Sequence, residues 1–331
     1  MFFHFALWLI ISFLIGLVGA FLISKRGFDL KLVDFPNERS SHTVPIPKGG
    51  GIGILFVFII GALWWKIAWT LWIPVCIVSV VSLLADYRDL SYKIRLIVQI
   101  GAAGIFSGSI FFGRVTAELS AIITVLVFLF GLLYITATAN YYNFMDGING
   151  IAGITGIIAF SCLGLFGLYE GKDAAWVAIA FGIAAACFGF LPLNFPRARI
   201  FMGDVGSVLL GFIFACFVLK FSQSLIEFIV LTSFLFPFYI DELSTLIFRI
   251  KDGDRLVKAH RRHIYQILAN QAGISHAVVT LLYGFIQILV AILAWIVIGE
   301  GLILLLSLLI FLSGLFFLGS IYIRRRWEFS Y

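Results

Sequence analysis

Of the 331 residues, 62% are hydrophobic and 12% are charged, with a mean hydropathy of +1.10; an ordinary soluble domain has roughly half apolar and a quarter charged residues. These proportions exclude a soluble globular domain and a secreted disulfide scaffold. The apolar stretches are continuous, which also excludes a transmembrane barrel, whose strands alternate. The net charge of +6 is spread over separate loops, which argues against a nucleic-acid partner and for anionic lipid or an anionic substrate.

Windows of about 20 residues, the length that crosses a bilayer, predict about eleven transmembrane helices: 4–24, 50–66, 68–85, 96–113, 119–138, 147–168, 175–193, 205–220, 226–247, 276–298 and 301–323. The expected fold is all-α, one polytopic integral membrane domain over 1–331. The stretch from Phe3 to Ser24 has no basic start and no small-residue cleavage site, so it reads as a mature first helix. Cys76, Cys162, Cys187 and Cys216 lie inside apolar stretches without CxxC spacing and read as small buried hydrophobes.

Sorting the connections into two alternating sets places 19 of the 23 lysines and arginines on one side, leaving Lys66, Arg114, Lys172 and Lys220 on the other. Such a bias puts the N-terminus outside and the C-terminus and basic loops in the cytoplasm. Those inward segments, 25–49, 86–95, 139–147, 194–205 and 248–275, also carry nearly all the Asp, His, Asn and Gly-rich sequence. Any chemistry is therefore expected on the cytoplasmic face.

The first inward loop, VDFPNERSSHTVPIPKGGGIGI, sets Arg39, Ser40, Ser41, His42 and Lys48 beside Gly49, Gly50 and Gly51 at a helix start. That pattern suits a phosphate on free backbone N–H groups, although a plain re-entry turn is the competing reading. The second, ADYRDLSYKIR, spaces Asp86 and Asp89 along one side of a helical turn, with a solvated helix end as the competing reading. In the third, NYYNFMDGING, the short distance between two apolar helices forces Asn140, Asn143, Asp146 and Asn149 to membrane depth, where polar groups are costly unless paired or functional. The fourth, NFPRARIFMGDVGS, carries Asp204 at a helix start, and the fifth contains AHRRHIYQ, with His260, Arg261, Arg262 and His263 in a row. Cations near carboxylates, without a thiolate or HExxH pattern, suggest a polyphosphate beside Mg²⁺, with Mn²⁺ as a substitute.

These five motifs, in this order from Val33 to about Gln266, resemble those of the polyprenyl-phosphate N-acetylhexosamine-1-phosphate transferases. That membrane family includes the phospho-MurNAc-pentapeptide translocases and the enzymes that start bacterial O-antigen, enterobacterial common antigen and teichoic acid synthesis. PNERSSHTVPIPKGGG and AHRRHIYQ look closest to the O-antigen-initiating branch. The resemblance implies Mg²⁺-dependent transfer of a sugar-1-phosphate from a UDP-N-acetylhexosamine to undecaprenyl phosphate, releasing UMP, at the cytoplasmic face of the bacterial inner membrane. It also permits a homodimer.

Carried over by position, the resemblance implies that Asp204 is a metal ligand, with Phe201 near the uracil and Asn194 on the nucleotide side. Asn143 and Asp146 match positions lining the nucleotide site, Asp146 in a catalytic role, and Asn149 stands where many relatives have Asp. His260 and His263, also catalytic by resemblance, hold the diphosphate with Arg261 and Arg262; His42, Lys48 and Lys93 align with polar substrate-side positions. Asp241 either supports the site or is an intramembrane acid paired with a nearby arginine. Most relatives have two adjacent aspartates at the end of the third span, where this chain has Ala85 and Asp86. Asp86 alone is therefore expected to deprotonate the lipid phosphate or to help hold the metal. Two other readings stay open: an inactive scaffold, because of Ala85 and Asn149, and a transporter or flippase for a lipid-linked anion, because intramembrane acids and Gly-rich broken helices also mark transport paths.

Overall fold

The computed structural model describes residues 2–36, 41–88, 90–111, 121–255 and 260–328. In chain order it comprises α1 (Phe2–Arg26), a two-stranded ribbon of β1 (Val33–Asp34) and β2 (Ile46–Pro47), α2 (Ile52–Trp64), α3 (Trp69–Arg88), α4 (Tyr92–Phe111) and α5 (Ala121–Phe144). There follow α6 (Ile151–Tyr169), α7 (Ala174–Asn194), α8 (Asp204–Phe221), α9 (Leu225–Ser233), α10 (Phe236–Lys251), α11 (Ile264–Gln266), α12 (His276–Ile296) and α13 (Leu302–Ile323). Among the described residues nine helices are long and apolar enough to cross a membrane. The protein is an all-α polytopic membrane protein.

Two predicted spans take a different form. The stretch 50–66 yields only the 13-residue α2, about 20 Å long against a hydrocarbon core of about 30 Å. Gly50 and Gly51 N–H donate to Phe201 and Met202 carbonyls, both at 2.9 Å, so the chain turns helical only at Ile52. The stretch 226–247 is broken into α9 and α10 around Phe234 and Leu235, with Pro237 in the first turn of α10. Proline has no N–H to continue a preceding helix and is favoured where a new one begins. The Phe234 carbonyl at the break accepts a 2.7 Å bond from Gln287 Nε2 on α12, as apolar surroundings require.

α8 is the central post. It is apolar on all faces and buried from Val205 to Leu219, as befits a helix surrounded by protein; it packs on α3 and α5, with α2 and α6 alongside. A second group, α1, α2, α6 and α7, packs mainly on itself and joins α8 through α2 and α6, while α12 covers α6 and α10. α13 lies at the periphery and turns most of its apolar surface outward. The ends of α2 and α8 approach so closely that a Cβ on Gly51 would stand 2.2 Å from the Gly206 Cα. That contact joins the first loop to the head of α8 and so positions the site.

Candidate functional site

Five connections meet at one end of the bundle. β1 and β2 pair antiparallel, Val33 with Pro47 and Asp34 with Ile46, and Lys48 bridges in parallel to Phe201. The first loop is therefore fastened along the segment that precedes α8. Gly203, at φ +74°, takes the turn into α8; a Cβ there would stand 2.7 Å from Gly49 N and 2.8 Å from Asp86 Oδ2. Only glycine lets these three segments converge.

A cavity of about 710 Å³ opens where they meet, lined by Asp34, Ser41, His42, Lys48, Asp86, Asn143, Asp146, Gly147, Ile148, Asn194, Phe201, Gly203, Asp204 and Gln266. Asp86 comes from the end of α3, Asp146 from the α5–α6 turn and Asp204 from the first residue of α8. Lys48 Nζ stands 3.5 Å from Asp86 Oδ1, and Asp86 Oδ2 accepts the Val205 N–H at 3.3 Å. Asp204 is engaged at both oxygens, Oδ1 by Asn143 Nδ2 at 2.9 Å and Oδ2 by Arg95 Nη1. Burial pushes the Asp146 carboxyl well above the usual carboxylate range, and the charges of Asp204 and Asp86 push the same way. In the same cavity His42 meets Phe201 edge to face, ring centroids 4.9 Å apart, and His42 Nε2 is 3.8 Å from Asp34 Oδ2.

The sequence-predicted residues therefore divide into two groups. Asp86, Asp146, Asp204, Asn143, Asn194, Phe201, His42 and Lys48 line one cavity. Asn194 also braces it: its Oδ1 accepts Gly150 N–H at 2.7 Å and its Nδ2 donates to the Ile200 carbonyl at 2.8 Å. Asn149 turns away, donating to the Pro196 carbonyl at 3.1 Å, and Lys93 is exposed on α4. Neither belongs to the cavity wall.

His260, Arg261, Arg262 and His263 are not among the residues lining that cavity. Arg262 is gripped by three carboxylates: Nη1 bonds Asp254 at 2.8 Å, Nε bonds Glu328 at 2.5 Å and Nη2 bonds Asp252. These bonds hold its charge high and pull the Asp254 carboxyl below its usual range. The rings of His260 and His263 lie 4.8 Å apart. His263 Nδ1 faces Glu242 at 3.4 Å and Asp241 at 3.8 Å, yet burial, with Arg324 and Arg249 nearby, lowers its pKa to about 3. His260 is lowered to about 3 by burial and by His263.

Asp241 joins this cluster to the cavity. It accepts Ile264 N–H at 2.8 Å, Tyr265 N–H at 3.2 Å, the Tyr283 hydroxyl at 2.6 Å and the Thr245 hydroxyl at 3.2 Å. The Tyr265 hydroxyl in turn donates to the Phe144 carbonyl at 2.9 Å, next to the Asp146 turn. Asp241 thus supports the site by shaping the loop that delivers Gln266.

One expectation changes. The amides of Gly50 and Gly51 are used on the α8 approach, so the phosphate cradle expected there is not formed by them. Asp89, Arg39 and Ser40 lie outside the described residues. Ala85 is buried and is not part of the cavity wall. Sequence reasoning missed Arg95, Asp34 and Gln266: Arg95 had counted only as a membrane-edge charge, and neither Asp34 nor Gln266 carried a signal beyond its place in a polar motif.

Among the described residues no three His, Cys, Asp or Glu side chains converge tightly enough to cage a metal by themselves. The carboxylate oxygens still fit Mg²⁺, which is commonly bound through one or two carboxylates with substrate phosphates and water completing its shell.

Comparison with known proteins agrees with the motifs. Residues 68–222 match the family described as glycosyl transferase family 4. The chain is 27% identical, over 84% of its length and 81% of the relative's, to the probable undecaprenyl-phosphate N-acetylglucosaminyl 1-phosphate transferase of Bacillus subtilis (strain 168). It is 28% identical to the undecaprenyl-phosphate alpha-N-acetylglucosaminyl 1-phosphate transferase of Salmonella typhi, over 78% of this chain and 75% of that one. It is also 28% identical to the decaprenyl-phosphate N-acetylglucosaminephosphotransferase of Mycobacterium leprae, over 83% and 77%. These are the relatives expected for the polyprenyl-phosphate hexosamine-1-phosphate transferase family that the motifs resemble.

Proposed function

We propose, from that likeness, that this chain transfers a sugar-1-phosphate from a UDP-N-acetylhexosamine to undecaprenyl phosphate at the cytoplasmic face of a bacterial inner membrane. UMP is released, and the lipid-diphosphate sugar starts a cell-envelope glycan such as O-antigen. The observation that carries the reading is the meeting of Asp86, Asp146 and Asp204 with Lys48 and Phe201 in one polar cavity at the ends of membrane-length helices. A soluble anionic donor and a membrane-held acceptor can meet there. The bias of basic residues toward the same set of connections supports the cytoplasmic placement.

An acceptor phosphate is already ionised near neutral pH, so the reaction needs alignment and charge neutralisation more than a strong base. A phosphate oxygen of the acceptor bonds to the β-phosphorus of the donor, and the bond from that phosphorus to UMP breaks. Asp204, with Asp86 beside it at the head of α8, would hold Mg²⁺ or Mn²⁺, which supplies neutralisation of the diphosphate. Lys48 sets a positive charge beside Asp86, and His42 with Phe201 forms an aromatic wall suited to a base. Asp86 orients the acceptor phosphate or shares the metal.

The test is UMP release by purified protein given undecaprenyl phosphate, Mg²⁺ and a panel of UDP-N-acetylhexosamines. One donor should turn over, and Asp204→Ala should abolish that turnover. Folded protein that releases UMP from no donor would overturn the assignment.

A further inference from the structure

Asp204 is tied in two unequal ways. Asn143, bonded to Asp204 Oδ1, also donates to Ser207 Oγ at 2.9 Å, and Ser207 Oγ donates to the Gly203 carbonyl at 3.1 Å. Asn143 is therefore built into the head of α8. Arg95 reaches Asp204 from the first turn of α4 through Nη1, while its Nε is buried without a hydrogen-bond partner among the described residues. Its side chain is 33% exposed. Arg262 offers the contrast, since three carboxylates grip its guanidinium from three directions.

A carboxylate oxygen in contact with a guanidinium is poorly placed to accept a divalent cation, because two positive charges a few ångströms apart repel strongly in a partly buried site. Of the two partners, the singly bonded one is the one free to leave. A guanidinium released beside a cavity for a nucleotide diphosphate has a natural second partner, because its planar fork matches phosphate oxygens.

We propose that Arg95 is the resident counter-cation of Asp204, that it competes with a divalent metal for that carboxylate, and that it turns to the donor's phosphates when the metal binds. The proposal rests on the transferase reading above. It couples the two ligands: a nucleotide that draws Arg95 away raises metal affinity, and by linkage the metal raises nucleotide affinity equally. It also makes Arg95 a substrate-binding residue that the motifs had not marked.

The test is Mn²⁺ binding to the full-length protein in detergent, followed by electron paramagnetic resonance first without nucleotide and then with UDP. Arg95→Gln should bind Mn²⁺ alone about tenfold tighter than wild type, as expected when a repelling charge in contact is removed. Arg95→Lys, which keeps the charge, should stay near wild type. UDP should tighten Mn²⁺ binding in wild type and do so far less in Arg95→Gln. Should the glutamine variant not fold, Arg95→Met keeps the apolar stem and gives the same measurement. Unchanged or weaker Mn²⁺ binding in the uncharged variants, with binding lost in Asp204→Asn, would overturn the role of Arg95 and leave the transferase reading standing. Wild-type binding in Asp204→Asn would remove the metal from Asp204 and overturn the role of Arg95, whereas the transferase reading falls only if folded protein releases no UMP.

Discussion

Asp86 Oδ2 accepts the backbone N–H of Val205 at 3.3 Å, so a carboxylate at the end of α3 caps the first turn of α8, the helix that begins with Asp204. A negative charge is favoured at that end of a helix, and the bond sets two of the three cavity carboxylates in fixed relation. An amide oxygen can accept the same N–H. Asp86→Asn is therefore expected to fold, with a melting temperature near wild type, and to lose at least about 100-fold in turnover, the scale of removing a charged catalytic group. UMP release near the wild-type rate would remove Asp86 from the mechanism.

The contact between Gly51 and Gly206 leaves no room for a side chain, since a Cβ on Gly51 would meet backbone at 2.2 Å. Gly51→Ala is expected to cost about 1–3 kcal/mol, as overpacking of rigid neighbours does, and to reduce activity because the same turn carries Lys48. Thermal unfolding in detergent measures the first effect. A variant that melts with wild type would mean that α2 and α8 can separate freely.

Acid should weaken the protein through its histidine loop. His260 and His263 have pKa values near 3 in the folded protein, against about 6.5 when unfolded. The folded state keeps both rings neutral, so the unfolded state takes up more protons below about pH 6.5. Their contribution is fully present above that pH and is lost as the pH falls toward 3. The melting temperature should drop between pH 7 and pH 5, and His263→Gln should flatten that drop. An equally steep profile in the variant would place the acid sensitivity elsewhere.

Arg324 is fully buried at the end of α13, bonded through Nη2 to Thr245 Oγ1 at 2.9 Å and through Nη1 to Glu328 at 3.0 Å, with Phe248 4.7 Å beneath its guanidinium. Glu328 also holds Arg262, so the last turn of the chain clasps the histidine loop. Replacing Arg324 by Met leaves Glu328 with only Arg262 and should cost about 2–4 kcal/mol, at the lower end for breaking a buried pair. An unchanged unfolding temperature for Arg324→Met would show that the clasp does not contribute to stability.

Membrane class and helix content are written locally, in the length and continuity of the apolar runs, because a bilayer demands about 20 apolar residues whatever surrounds them. The grouping of Asp86, Asp146 and Asp204 was also legible, since acids at membrane depth on one side of the chain have few other places to be. What the sequence left open depends on partners distant in the chain. Arg95 meets Asp204 across 109 positions and Arg262 meets Glu328 across 66, and only the packing of α4 on α3 and α5, and of the last turn on the histidine loop, decides those pairs. The same holds for the glycine amides: Gly50 and Gly51 look free for phosphate because nothing in the local sequence shows the Phe201 and Met202 carbonyls that take their hydrogens. Periodicity and composition report the solvent around each helix, whereas a polar side chain is defined by the group that completes its hydrogen bonds, and in this protein tertiary structure chooses that group.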